Sequence, residues 1–597
     1  MPLAKSQSRF VLDLKTRQGS LGKIWLDLPP AERSTESLYY LRRRERRFLP
    51  ASYRTGLLFF GAVMVLSLLS ITGISSKTMA ESQQSWLSAE LLQEFSQLRN
   101  TRGSSVSVDE QRRHFSVLNT QQQLRRPEPI SGLLNRSDEP QSLEMIGLRI
   151  SEGYQSFERF LETWRNRGGA TVMEKLAWMR RDADQALLSW NTALMAAKHY
   201  PSSGLNPTEQ VSLASSISAL EKLSGFLSAF QQSYDPLTTL LGSDAPQRLL
   251  IFLQDPSEKR ATGGVLSAGV EILLDRGKIV TWKPFMKHDD ANTFLDVTKS
   301  MEKIHGLWQR EEHSSVDAIV FVNTTAVEEL LTGLEDAKAF EGFEDRWSEL
   351  RVSGKDEDLK ALASGAIELL ISHLETPNFF LNSWPSLQAL TASKAIMVVA
   401  SDPDLQESLT ALNVSGALPS LAPHEDALMI ASINTEDTPS DHGIQENDRL
   451  DTTIAADGSI RHWLKVERRG GDNGANTSMM RVLVPLGSLL TGTDGLEITE
   501  VSTTQTADFT VWSFPMKLNP GESRAVALIY ELPWRFDTGS IDNYRLQLIH
   551  QPGSPAIGFE HHLKLPANLT IFQQLPEEDL RTWDRDETVA IVAGRAQ

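Results

Sequence analysis

The sequence predicts an α+β multidomain chain anchored in a membrane by one transmembrane helix. A helical stalk or bundle, a mixed α/β domain and a β-sandwich-like carboxy-terminal module follow it. Three observations predict this. Residues 56–76, GLLFFGAVMVLSLLSITGISS, carry no charge. At Arg248 the apolar spacing changes from three-and-four to short continuous runs. From about Asp448 the helical pattern fades, and turn residues separate short alternating runs.

The expected boundaries are a basic cytoplasmic tail over 1–54, the membrane helix over 55–76 and a helical region over 77–245. The mixed α/β domain is expected over 246–434, the β-sandwich-like module over 435–570 and an acidic carboxy-terminal tail over 571–597. A chain of 597 residues is too long for one core and suits two to four domains.

Charge is unevenly spread. Residues 1–54 hold 12 Lys/Arg against five Asp/Glu, whereas the whole chain carries −18. An acidic body argues against nucleic acid as the main partner. The chain has no cysteine, which excludes disulfides, thiolate metal sites and cysteine nucleophiles.

About 20 helical residues at ~1.5 Å each cross a ~30 Å hydrocarbon core, so 56–76 is long enough to span. Six arginines precede it: Arg42, Arg43, Arg44, Arg46, Arg47 and Arg54; only Lys77 follows closely. This bias predicts a cytoplasmic amino end and a body in the periplasm or outside the cell. A cleaved leader would be shorter, and a buried helix of this length would show a polar face.

In the helical region, Ile217, Leu220, Leu223, Phe226, Leu227 and Phe230 recur at three and four, which makes one apolar stripe. Pro207 opens that helix in its first turn. Beyond Arg248, RLLIFLQ, VLSAGVEILL and KIVTWKPF read as strands. VDAIVFVN reads as a buried strand, and TTAVEELL after it as a helix capped by Thr324 or Thr325. DEDLKALASGAIELLISHL is a strong helix and ALMIASIN a further strand of the mixed domain. Asp457-Gly458 is the strongest short hairpin signal in the chain.

The candidate site is the segment between the first two strands. Its apolar run stops at Gln254, and a charged loop carries Glu258 and Arg260 before Gly263 and Gly264. Backbone amides of such a turn can form an anion nest, and a guanidinium fork suits phosphate. Equally, Glu258 and Arg260 can pair while the glycines only turn the chain. In KHDD, Asp289 and Asp290 are candidate acid/base groups or magnesium ligands; a solvated loop is the structural alternative. No Gly-x-Ser-x-Gly or His-Glu-x-x-His occurs, no metal site is anchored by spacing and no cofactor is implied.

The stretch RLLIFLQDPSEKRATGGVLSAGVEILLDRGKI resembles the signature of a bacterial family of unknown function, domain of unknown function 4012. Gln254, Glu258, Arg260, Thr262, Gly263 and Gly264 carry the match; Asp255 and Lys259 depart from it, where the family usually has Asn and often Leu. VDAIVFVNTTAVEELL, LIYELP and the Gln551-Pro552-Gly553 segment are similar to later family segments, so the likeness covers about 235–566. It implies an architecture and no established activity. The order of elements also resembles the LytR-CpsA-Psr glycopolymer transferases, whose Arg-Ser-Asp loop motif is absent here.

The first functional expectation is a non-catalytic protein of the bacterial cell envelope, serving assembly, adhesion or scaffolding through envelope proteins or glycans. The alternative is an envelope glycopolymer transferase or polyprenyl-pyrophosphate binder that uses Arg260 and the Gly263-Gly264 loop.

Overall fold

The computed structural model describes residues 9–16, 19–27, most of 149–163, 171–200 and, short gaps aside, 207–595. Residues 1–49 form a unit of their own. In it β1 (Arg9–Thr16) pairs antiparallel with β2 (Gly19–Asp27), so part of the expected basic tail is a hairpin. Arg42, Arg43, Arg44, Arg46, Arg47 and Arg54 lie outside the described residues.

The segment expected to cross the membrane, 55–76, also lies outside them. Among the described residues no helix is long and apolar enough to cross a membrane. The two longest, α1 (Val172–Lys198) and α2 (Pro207–Leu240), have the length but carry charged residues along it. For the described residues this corrects the expectation of a membrane-anchored, single-pass chain with a cytoplasmic amino end and its body outside.

Helix α1 begins at a capping box. Glu174 N–H donates to Thr171 Oγ1 at 3.2 Å, and Thr171 N–H donates to Glu174 Oε2 at 2.7 Å. Its buried stripe includes Leu176, Met179, Ala183, Leu187 and Trp190. Leu220, Leu227 and Phe230 of α2 are buried at the expected three-and-four spacing. Arg180 pairs with Asp235 at 3.0 Å and Lys198 with Glu221 at 2.7 Å, so the helices run antiparallel. Phe160 packs edge-on against Phe230 at 5.1 Å.

The mixed domain is one five-stranded sheet in the order β5-β4-β3-β6-β7. Its strands are β3 (Gln247–Arg260), β4 (Gly263–Asp275), β5 (Lys278–Asp289), β6 (Ala318–Asn323) and β7 (Ile396–Ala400). Only β3 and β6 pair in parallel. The connections include helices α3 (Val297–Glu312), α4 (Thr324–Leu331), α5 (Phe343–Val352) and α6 (Asp356–Leu374), and α7 (Pro403–Ala411) follows β7. Phe252, Phe285 and Phe321 of the sheet pack with Met301, Ile304 and Trp308 of α3. Asn323, not Thr324, holds the cap position of α4, and its side chain makes no capping bond.

The rest of the chain folds into two sheets. One has the order β12-β15-β10-β9-β17-β19 and the other β13-β14-β11-β8-β16-β20-β18. In chain order the strands are β8 (Asp426–Asn434), β9 (Gln445–Ile454), β10 (Ser459–Arg469), β11 (Asn476–Pro485), β12 (Leu489–Asp494), β13 (Ser502–Gln505) and β14 (Phe509–Leu518). They continue with β15 (Ser523–Arg535), β16 (Asp542–Leu548), β17 (Ile557–Lys564), β18 (Leu569–Leu575), β19 (Thr582–Trp583) and β20 (Glu587–Arg595). Side chains of both sheets share one core, including Leu464, Val482, Trp512, Phe514 and Tyr530.

Two boundaries differ from the sequence reading. Strand β8, expected in the mixed domain, sits in the middle of the seven-stranded sheet. Leu428 and Ile430 face the sandwich core, while Ala427, Met429, Ala431 and Ile433 face a second core with Ala261 and Leu295. Burial on both faces is why its sequence reads as a continuous apolar run. The expected acidic tail is also structural, because β20 lies between β16 and β18 and Trp583 is buried.

Candidate functional site: a buried charge cluster at the sheet–sandwich junction

The charged segment after Gln254 belongs to a strand. Strand β3 runs through to Arg260, and the turn into β4 is only Ala261-Thr262. Pro256 has no N–H to give the ladder. The register jumps from Asp255↔Val265 to Lys259↔Gly264, so Pro256, Ser257 and Glu258 bulge out of the pairing.

The glycines make this possible. A Cβ on Gly264 would sit 2.0 Å from the Asp255 carbonyl oxygen. Gly263 has φ +116°, and a Cβ there would meet the Gln254 side chain at 2.4 Å. Both positions are filled by protein.

The charges pair with one another. Arg260 Nη2 donates to Glu258 Oε1 at 2.6 Å. From α5, Arg351 Nη1 donates to Glu258 Oε2 at 2.6 Å and its Nε to Asp255 Oδ2 at 2.8 Å. Arg260 is 4% exposed and Glu258 1%. Two carboxylates face two guanidiniums, so these four groups sum to zero charge. A buried guanidinium held this way is a poor seat for an incoming anion, because binding would have to break the existing pairs.

Lys259 points its backbone toward the sandwich, where its N–H donates to Asp441 Oδ2 at 3.0 Å. Asp441 also accepts from Asn434 Nδ2 at 2.7 Å and Asn476 Nδ2 at 3.1 Å. Burial lowers the pKa of the Lys259 ammonium, against the raising influence of Glu446, Asp441 and Asp448. Burial, then the neighbouring Glu446, raises that of Asp448. Arg468 Nε lies 3.0 Å from Glu446 Oε2.

Gln551 closes the junction. Its Nε2 donates to the carbonyls of Arg260 at 3.0 Å and Ser432 at 2.9 Å, and its Oε1 accepts from Ser432 N–H at 2.9 Å. A Cβ on Gly553 would lie 3.0 Å from Gly263 Cα. The Glu258–Gly264 and Gln551–Gly553 segments, 287 residues apart at their facing ends, thus meet at one place.

Asp289 ends β5, where its backbone pairs with Leu266; its side chain and all of Asp290 lie outside the described residues. Among the described residues no group of three or more His, Asp or Glu could hold a metal ion. Sequence reasoning missed Arg351, Asn434 and Asp441. Arg351 lies in an ordinary helical stretch, FEDRWSELRV, with no local mark of burial.

No family model matches the chain, and no curated protein matches it. Among solved structures, one resembling it is described as a nutrient-binding protein from Legionella pneumophila, at 10% identity and TM-score 0.21 over 28% of this chain and 70% of that one. An M1 zinc metallopeptidase from Deinococcus radiodurans is 16% identical at TM-score 0.16, over 26% of this chain and 43% of the other. The match spans under half of the metallopeptidase. At TM-scores this low neither likeness bears on fold or function.

Proposed function

We propose that the chain is a non-catalytic assembly or scaffold protein that acts through protein or glycan partners. The observation that supports this reading is the enclosure of Arg260. Its guanidinium is 4% exposed and is paired with a carboxylate that a second arginine also holds. The residues that sequence reasoning would assign to phosphate capture are engaged in joining the sheet to the sandwich. A transferase acting through Arg260 and the Gly263-Gly264 amides would need that space open.

The test is native mass spectrometry of the full chain with short-chain polyprenyl-phosphate sugars, beside Arg260→Ala and a denaturation curve for each protein. The expected result is no adduct with either protein and a large stability loss in the variant. Adducts on the natural chain that vanish in an equally stable Arg260→Ala protein would overturn the reading.

A further inference from the structure

A cleft of about 750 Å³ opens between α5 and the loops at one end of the sandwich. That volume is in the range of small-ligand sites. Glu344, Asp345 and Ser348 of α5 line one side, and His442 of a sandwich loop and Arg469 at the end of β10 line the other. Glu344 is partly buried, whereas Asp345, His442 and Arg469 are exposed. None of these four charged or titratable side chains makes an ion pair among the described residues. Elsewhere at this junction, opposite charges are in direct contact. Here they face each other across open space.

Ser257, Pro439 and Gln445 also line the cleft, and glycine makes up the rest of its wall. Gly443, Gly470, Gly471 and Gly521 all line the cleft. A Cβ on Gly470 would meet the Asn519 carbonyl at 2.3 Å, and one on Gly471 the His442 carbonyl at 2.6 Å. The loops therefore meet backbone to backbone at these two positions. No Trp, Tyr or Phe side chain lines the cleft.

We propose that this cleft binds a short zwitterionic peptide, with its ammonium end at Glu344 and Asp345 and its carboxylate end at Arg469. Burial, with Asp255 and Glu328 nearby, raises the pKa of Glu344, and the His442 charge opposes the shift. Arg469 offers the guanidinium fork that suits a carboxylate. Gly470 and Gly521 bond to each other and Gly470 to Glu522, which leaves Gly443 and Gly471 to hydrogen-bond an extended peptide backbone without reading its side chains. The inference goes beyond the assembly reading and stands if that reading fails.

The experiment incubates the full chain with an equimolar mixture of random tetrapeptides, passes it through gel filtration and counts the retained peptides by mass spectrometry. Two parallel mixtures have the amino end acetylated or the carboxy end amidated. Free peptides should be retained at least tenfold over either blocked mixture. Arg469→Ala and Asp345→Asn should each lower retention at least tenfold, with an unchanged melting temperature. Arg461→Ala, on an exposed pair with Glu531 outside the lining, should not. No retention above a control protein, or equal retention of blocked and free peptides, would overturn the proposal.

Discussion

Glu258 and Arg351 meet at 2.6 Å although 93 residues separate them in the chain. The other oxygen of the same carboxylate accepts from Arg260 at 2.6 Å. One side chain thereby ties the bulge of β3 to helix α5 and to the end of its own strand. Removing it leaves the buried Arg260 guanidinium and the part-buried Arg351 one short of a partner.

Glu258→Ala should lower stability by about 3–5 kcal/mol, the usual cost of breaking a buried pair from one side. A urea curve followed by tryptophan fluorescence reads this. In a double-mutant cycle with Arg351→Ala, the two losses should fall short of additive by about 1–3 kcal/mol. Additive losses would mean that the pair is not coupled.

Gly264→Ala should prevent the β3–β4 hairpin from closing, because the new methyl would overlap the Asp255 carbonyl at 2.0 Å. The expected result is an aggregated or protease-sensitive product. Gly306→Ala is the control. It lies inside α3 with nothing within 4 Å of its Cβ, so it should be neutral or stabilising by up to about 1 kcal/mol. If both variants fold alike, close approach is not the role of Gly264.

Stability should fall on mild acidification. Burial, with Lys394 adding to it, lowers the His550 pKa from 6.5 to about 3, and burial, then His462, lowers that of His561 to about 4. Between those values and 6.5 the unfolded chain binds protons that the folded chain refuses. Stability from both groups is therefore complete above pH 6.5 and is lost as pH falls toward 4, by on the order of 2–3 kcal/mol each. Urea midpoints from pH 7.5 to 4.5 measure the slope. His561→Gln should flatten it, and an unchanged slope would sink the assignment.

Truncation after residue 580 should destroy the sandwich, because it removes β19 and β20. Strand β16 would lose its antiparallel partner over Asp542–Leu548, and the core would lose Trp583, Val589, Ile591 and Ala593. Limited proteolysis with intact mass readout should find no stable fragment from 426 to 580. A folded fragment of that span would make the end dispensable.

Periodic features were legible in the sequence. The stripe through Leu220, Leu227 and Phe230 is buried as its spacing requires. Asp457-Gly458 does turn β9 into β10, with Gly458 at φ +81°. VDAIVFVN contains β6, buried at every position. The segment from Asp255 to Arg260 was not legible. Charge in a sequence signals solvent, and nothing local tells that Arg351 will arrive to neutralise it. The end of the chain misled for a similar reason. Its acidic composition hides an alternation in which Val589, Ile591 and Ala593 face inward. The neighbours of β8 are not legible either, because an apolar run fits any sheet that is covered on both sides.

That strand has a consequence for inheritance. Its odd and even positions belong to two different cores. A cut ahead of β8 divides the second of them, because Ala261 and Leu295 fall on one side and Ala427, Met429, Ala431 and Ile433 on the other. The sheet and the sandwich are therefore not interchangeable parts. A recombinant that swaps either one alone should fail unless it carries a matching β8, so the two halves are expected to travel together through evolution as a single heritable block.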